Sequence, residues 1–345
     1  MSNWPELDEI QGRLSSKIGT YFPEVTGGTP TFQLTGVNHR TYSTICFFHL
    51  AVDTRSKGQP QGIAVKFYRK EGGGADLAKI QYSSLLAIWP VFGNGGLLSI
   101  PRPLDFFPEL PALVMERVEG EPLQKMIRKH YFSAMRRPAL ARACEGSGEW
   151  LQRFHHATRG ATGRLDVEAK QNQAMVNVLT LESQGFTAGL CRQMETFLVW
   201  RAKDVIGTDM EMALIHGDFT VDNVLLDGEK IIVLDLHGKD RNAIYHDLAT
   251  FLNSLELMRL CWPLLGGFID LCAKSFLAGY FGKTKYSANA LLYLRLTGLV
   301  SVALEILARR WSQPLARFWI RRRLEHLLHK LLSEHGAHTK IGRSR

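Results

Sequence analysis

One segment constrains this chain more than any other: Ala213-Leu214-Ile215-His216-Gly217-Asp218-Phe219-Thr220-Val221-Asp222-Asn223-Val224-Leu225-Leu226, followed by Ile231-Ile232-Val233-Leu234-Asp235. Its apolar runs are short and rich in branched side chains, so they read as buried strands. Between them lies a polar loop holding Asp218 and, five residues on, Asn223. Asp235 closes the last run, twelve residues beyond Asn223. An isolated Asp or Asn is explained by a loop cap or an Asx-turn. The His-Gly-Asp triplet, the fixed offset, the strand before it and the Asp-ended strand after it are not. The pattern calls for a hairpin-like turn that gathers three oxygen-bearing side chains.

The rest of the chain changes character once. Glu6 to Ile18 has Leu7, Ile10 and Leu14 at helical spacing. Thr31–Gly36 and Tyr42–Leu50 are rich in β-branched and aromatic residues and read as strands. A turn at Ser56–Pro60 leads to a strand over Gly62–Tyr68. Gly72-Gly73-Gly74 interrupts the chain, and the pattern from Asp76 to Trp89 predicts a helix with Asp76 near its start. Ala112–Val118 reads as a strand ending at Glu119-Gly120. Beyond it almost everything is helical except the central loop and its strands. The expectation is an α+β fold of two lobes. Residues 1–113 form a small antiparallel sheet with a helix, 114–120 a hinge, and 121–345 a mostly helical lobe carrying the loop 216–223.

Length permits this, since 345 residues can build two cores. Five scattered cysteines with no CxxC pair suggest neither a disulfide framework nor a zinc ribbon. A reducing, cytoplasmic setting is the simplest expectation, and the acidic N-terminus does not read as a signal peptide. Leu291–Leu307 is apolar but interrupted by Arg295 and Glu305, which fits a buried helix better than a membrane span. The net charge of +9 is local. Residues 309–345 hold ten Lys/Arg against two Asp/Glu, and 121–143 hold six against one. No nucleic-acid partner is expected, because solvated helix faces account for such patches. In Pro314–Leu332, leucines and aromatics interleave with arginines. That pattern fits a terminal helix packed on its lobe, or an amphipathic helix on the inner face of an anionic membrane.

The loop residues match one chemistry. Phosphoryl transfer needs a positioned hydroxyl, a neutralised phosphate and a nucleotide held in line. Asp218 is the candidate that accepts the hydroxyl's hydrogen bond. Asn223 and Asp235 are the candidate oxygen ligands for magnesium, which takes few protein oxygens beside those of phosphate. Lys66, closing Ile63-Ala64-Val65-Lys66, reads as a strand lysine for ATP phosphates. Gly36–Ser43 lies where a phosphate-covering turn belongs, although it does not spell GxGxxG. Ser43 and backbone amides could serve there, and a plain hairpin explains the segment equally well. In Val114–Gly120, the backbone of Glu116 and Val118 could meet an adenine edge.

Together these residues resemble the aminoglycoside phosphotransferase-like family of the protein-kinase-like fold, from about Thr31 to about Leu255. The most specific part is His216 to Asp235, followed by Tyr245-His246-Asp247-Leu248-Ala249. Trp150-Leu151-Gln152-Arg153-Phe154-His155 resembles the family's helix before the loop, with His155 read as a core residue. The resemblance implies a two-lobed protein-kinase-like fold and transfer of the ATP γ-phosphate to a hydroxyl of a small molecule, a sugar or glycan. About sixty residues separate His155 from His216, room for extra helices near an acceptor. Only eleven separate Asp235 from Asp247, too few for a peptide-docking activation segment.

The chain departs from the family pattern around Lys66, and Leu236-His237-Gly238 after Asp235 is a variant. Where a glutamate should hold Lys66, the sequence offers Gln81, or Asp76 nearer the helix start. Gln81 and the poor glycine turn keep a nucleotide-binding pseudokinase scaffold open as an alternative. Another alternative is a divalent-metal hydrolase, with His216, Asp218, Asp235 and His237 alternating on strand ends.

Overall fold

The computed structural model describes residues 5–23, 25, 30–40, 43–51, 62–69, 73–238, 240–262, 264, 266–308 and 314–334. The turn expected at Ser56–Pro60 lies outside them, as do Thr41, Tyr42 and Gly72. The chain divides into two compact units, Met1–Glu121 with Leu225–Lys239, and Pro122–Val224 with Asp240–Arg345.

The first unit opens with α1 (Pro5–Ser16) and α2 (Ile18–Tyr21). There follow β1 (Thr31–His39), β2 (Ser43–Ala51) and β3 (Gly62–Tyr68). Then come α3 (Gly74–Phe92), β4 (Leu98–Ser99), β5 (Pro103–Phe107), β6 (Ala112–Glu116) and the two-residue β7 (Glu121–Pro122). Five strands form one sheet in the order β1-β2-β3-β6-β5, every pair antiparallel. β3 is central and buried from Gly62 to Phe67, which is why its sequence shows no polar alternation.

Sequence reading missed β5, because Pro101-Arg102-Pro103 reads as a breaker; an edge strand tolerates proline at its first residue. The N-terminal helices are also more integral than expected. Ile10, Leu14, Ile18, Tyr21 and Phe22 share a core with Phe32, Phe48, Val65, Phe107 and Val114. Asp105 on β5 anchors them, accepting from Lys17 Nζ at 2.5 Å and Tyr21 OH at 2.7 Å. Burial alone would raise the Asp105 carboxyl, but these two bonds hold its pKa below the ordinary value.

The second unit begins with α4 (Leu123–His130) and α5 (Arg137–Ala157). Next come β8 (Gly163–Arg164), α6 (Val167–Ser183), α7 (Ala188–Val205), β9 (Asp209–Met210) and β10 (Met212–Leu214). The inserted sixty residues are thus largely α6 and α7. Asp166 starts α6 by accepting the Ala169 N–H at 2.9 Å.

The chain then forms β11 (Val224–Asp227) and β12 (Lys230–Val233), turning at Gly228 with φ 59°. β12 pairs in parallel with β4, Ile231 opposite Leu98. That pairing explains why Leu225–Lys239 groups with the first unit, whereas the sequence placed it in the helical lobe.

β13 (Arg241–Ala243) returns to the second unit and pairs with β10. The chain continues through α8 (Tyr245–Cys261), α9 (Gly266–Phe281), α10 (Ala288–Ala308) and α11 (Pro314–Glu334). α5 and α9 cross through two glycines. A Cβ at Gly148 would overlap the carbonyl oxygen of Phe276, and one at Gly279 that of Glu145. α10 is long and apolar enough to cross a membrane by length and composition. Here it packs on α6, α7 and α8 with Leu291, Tyr293, Leu296 and Val300 buried. α11 likewise packs inward through Leu324, Leu327, Leu328, Leu331 and Leu332.

Candidate active site

In the first unit the site is built around a buried cation. β3 holds Lys66 at 6% exposure, between Ile45 of β2 and Leu113 of β6. An ammonium so buried is costly unless paired. Its Nζ donates to Asp235 Oδ1 at 2.9 Å and reaches Gln81 Oε1 at 3.4 Å. The Tyr68 hydroxyl donates to the same Gln81 oxygen, and the Tyr68 ring centroid lies 5.0 Å from Nζ. Burial, the largest single influence, would lower the Lys66 pKa, but the charge and hydrogen bond of Asp235 together with the contacts of Tyr68 outweigh it, and the value rises above that of an ordinary lysine. The departure at Gln81 is thereby accounted for. A neutral amide orients Lys66 while Asp235 supplies the counter-charge, and Asp76 is exposed in the first turn of α3.

Asp235 does not close a strand as expected. β12 stops at Val233, and Asp235 adopts φ 57°, outside the β region. Ser84 Oγ of α3 donates to Gly238 O at 3.2 Å, tying the segment after Asp235 to the helix that carries Gln81.

The other residues expected near nucleotide are also in this unit. Ser43 opens β2 opposite Tyr68, and its carbonyl accepts the Arg40 N–H at 2.8 Å. The Glu116 amide is committed to Arg102 O at 2.9 Å, so it is not available to a base. Val118 N–H and C=O make no hydrogen bond among the described residues.

In the second unit the loop after β10 alternates inward and outward side chains. His216 and Phe219 are fully buried, Phe219 among Trp150, Phe251 and Phe276 at centroid distances of 5.7, 5.4 and 6.2 Å. Gly217 at φ 87° makes the turn that brings Asp218 out to solvent. Asn223 Nδ2 donates both to Asp218 O at 2.8 Å and to Asp218 Oδ2 at 2.9 Å. Both amide hydrogens are thus fixed on Asp218, and the carbonyl Oδ1 of Asn223 is directed elsewhere.

A buried network holds this loop from behind. Asp247, 1% exposed at the start of α8, accepts the His216 N–H at 2.6 Å and the Gly217 N–H at 3.0 Å. His155 Nε2 lies 3.0 Å from the same carboxylate, and His155 Nδ1 lies 2.8 Å from Tyr280 OH. Burial pushes the Tyr280 phenol well above its usual value, so it stays protonated beside Nδ1. Burial would lift the Asp247 carboxyl too, but the bond and charge of His155, with His216 beside it, bring its pKa below the ordinary value. Ser254, two turns along α8, accepts the Val221 N–H at 3.2 Å.

Asp247 marked the resemblance in the sequence without a role being read for it, and Tyr280 and Tyr68 were not singled out. For Asp247 a signal exists: a carboxylate inside the apolar run Tyr-His-Asp-Leu-Ala must find buried donors. Tyr280 carries no such mark. The hydrolase alternative needs His216 and Asp218 to face one side; Gly217 turns the chain between them, and His216 is buried while Asp218 is exposed. Among the described residues, no group of three or more His, Cys, Asp or Glu could hold a metal ion.

Fold and sites define an α+β protein-kinase-like fold of two lobes. The model described as the phosphotransferase enzyme family (APH) matches residues 70–281, more than half of the chain. The chain belongs to this family, in keeping with the resemblance carried by His216–Asp235. A homoserine kinase of Neisseria meningitidis serogroup B is 29% identical over 159 residues, 44% of this chain and 48% of that protein. The match therefore spans about half the length of that relative. A glucosamine kinase superposes with TM-score 0.56 at 13% identity, over 92% of this chain and 96% of its own. A thermostable mutant of the aminoglycoside phosphotransferase APH(4)-Ia superposes with TM-score 0.51 at 13% identity, over 94% of this chain and 99% of its own.

Proposed function

We propose that this chain transfers the γ-phosphate of ATP to a hydroxyl of a small molecule, a sugar or similar polyol. The observation that carries the reading is the Asp218–Asn223 pair. One side chain fixes the carboxylate that would accept the attacking hydroxyl's hydrogen bond and keeps its own amide oxygen for a hard cation. Lys66, oriented by Gln81, would hold phosphate oxygens, with Ser43 at the covering turn and the Val118 backbone at the adenine edge. The donor set suits magnesium: one amide oxygen from Asn223 and one carboxylate from Asp235. Bound there, magnesium would neutralise phosphate charge. The short interval between Asp235 and Asp247 favours a small acceptor, and the relatives are named as kinases of glucosamine and homoserine. The pseudokinase alternative loses its main support once Asp235 compensates Lys66.

Asp218→Ala tests this. Turnover of ATP with an acceptor should fall by about 10²–10⁴-fold, the usual contribution of a positioned acid or base. ATP affinity should be nearly unchanged. A variant as fast as the parent protein would remove Asp218 from the role.

A second reading adds peripheral contact with an anionic membrane, which would place the chain at its cytoplasmic face. Phe318 and Trp319 on α11 are 41% and 61% exposed, next to Arg317, Arg321 and Arg322. Sedimentation with anionic but not neutral vesicles, lost on Trp319→Ser, would support it; equal recovery with both would end it.

A further inference from the structure

Helices α6, α8 and α10 line a half-open cavity of about 240 Å³ in the second unit. At roughly 30 Å³ per water this is room for about eight waters or one small ligand. Most of its polar lining is already committed. Gln173 Nε2 donates to Asn177 Oδ1 at 3.0 Å, Asn253 Nδ2 to Arg295 O at 2.9 Å, Ser301 Oγ to Thr297 O at 3.1 Å, and Thr297 Oγ1 to Leu294 O at 3.1 Å. Two nitrogens are not. His246 Nε2 is buried with no hydrogen-bond partner. Lys170 Nζ has no carboxylate within 4 Å among the described residues; Asp166, whose charge reaches it, caps the Ala169 amide. An orphaned buried nitrogen on α8 and a partly buried ammonium on α6 with no close carboxylate, both on residues that line this cavity, ask for a partner from outside the chain.

Charge decides what that partner is. No carboxylate lines the cavity. Asp247, next to His246 in sequence, already takes its donors from His216, Gly217 and His155 on the other side of α8. An ammonium-bearing ligand would find no counter-charge here, whereas an anion would meet Lys170 at once. Burial lowers the Lys170 pKa and, with the Lys170 charge, pushes His246 down to about 4, so His246 is a neutral hydrogen-bonding group at neutral pH. Gly298 leaves the space open, since a Cβ there would come within 3.0 Å of Asn253 Nδ2.

The cavity also shares a helix with the loop 216–223. Asp247 and Ser254 of α8 bond that loop, while His246, Thr250 and Asn253, at i, i+4 and i+7, line the cavity from the neighbouring face. We infer that this cavity binds the anionic group of a small hydroxylated ligand, a carboxylate or a phosphate ester, through Lys170 and His246. Resting on the phosphotransfer reading above, that ligand is the acceptor, and its class is a hydroxy acid or a sugar phosphate rather than an amino sugar.

Three probes that share a carbon skeleton test it by calorimetry on the full chain without nucleotide: glycerol, glycerate and glycerol 3-phosphate. At least one anion should bind tenfold or more tightly than glycerol, and the tighter of the two identifies carboxylate or phosphate. Lys170→Met should abolish the preference and Lys170→Arg should retain it. Gly298→Ala, which keeps every charge but crowds Asn253, should weaken the same probe and serves if Lys170→Met does not fold. Equal binding of all three probes, or a preference that survives Lys170→Met, overturns the assignment.

ADP formation from ATP with hydroxy acids, sugar phosphates and neutral sugars separates the two claims. Lys170-dependent anion binding without any ADP would sink the phosphotransfer reading and keep the cavity. Turnover of a neutral sugar, with a KM indifferent to Lys170→Met, would do the reverse.

Discussion

Asp247→Asn is the most informative single change outside the loop itself. The substitution keeps shape and volume but replaces one acceptor oxygen by a donor. Oδ2 takes both His216 N–H and His155 Nε2, and Oδ1 takes Gly217 N–H. If the amide oxygen keeps the first pair, its NH₂ faces the Gly217 N–H, donor against donor. One bond to a charged acceptor is lost, worth about 1.5–3 kcal/mol, and the new amide NH₂ is buried without an acceptor, at about 1–3 kcal/mol. The expected loss is therefore about 3–5 kcal/mol, large against the ~5–15 kcal/mol of a typical domain.

The pH dependence has a definite sign. The folded pKa of Asp247 is depressed, so its stabilisation is fully present above the unfolded value and is lost as pH falls through the folded one. The gap between parent and variant should be widest near neutrality and should shrink below about pH 4, the unfolded carboxylate range. Urea titration followed by circular dichroism at several pH values measures both quantities. A loss under ~1 kcal/mol at pH 7, or a gap that does not narrow in acid, would refute the assignment of Asp247 as the charged clasp of the loop.

Three further outcomes are expected. Gln81→Leu removes the shared acceptor of Lys66 and Tyr68 and should cost about 2 kcal/mol or more in a thermal or urea melt; a melt within error of the parent would contradict the buried contact. Asp235→Ala takes the 2.9 Å partner from Lys66 and should weaken magnesium–ATP binding, read as a smaller thermal shift with nucleotide; an undiminished shift would count against its role. Asp105→Ala should cost about 2 kcal/mol, chiefly through Tyr21, because the half-exposed Lys17 pair contributes under ~1 kcal/mol. That loss should fade in acid, since the Asp105 pKa is also depressed, and a constant difference down to pH 3 would speak against it.

The parts legible in sequence were those whose chemistry and periodicity coincide. Gly62–Tyr68 is recovered end to end because a central strand must be apolar on both faces, and Lys66 stands out within it. The loop 216–223 is legible because its polar residues are few and bounded by strands. The edges were not. β5 hides behind prolines, and β12 stops short of Asp235 because a left-handed φ at an aspartate leaves no trace in composition. The counter-charge for Lys66 comes from 169 positions along the chain, a distance that no local pattern records. His155 was rightly read as a core residue, but its partner Tyr280 is fixed only by how α5 and α9 cross.

That crossing has a consequence for how the protein tolerates change. Gly279 precedes Tyr280, and Gly148 lies two helical turns before His155. A single added methyl at either position would wedge the helices apart and stretch the phenol–imidazole link behind Asp247. A mutation in a place with no chemistry of its own, at the back of the lobe, could thus silence the front. The vulnerability of such a fold to inheritance or engineering is set as much by two absent side chains as by those of the loop itself.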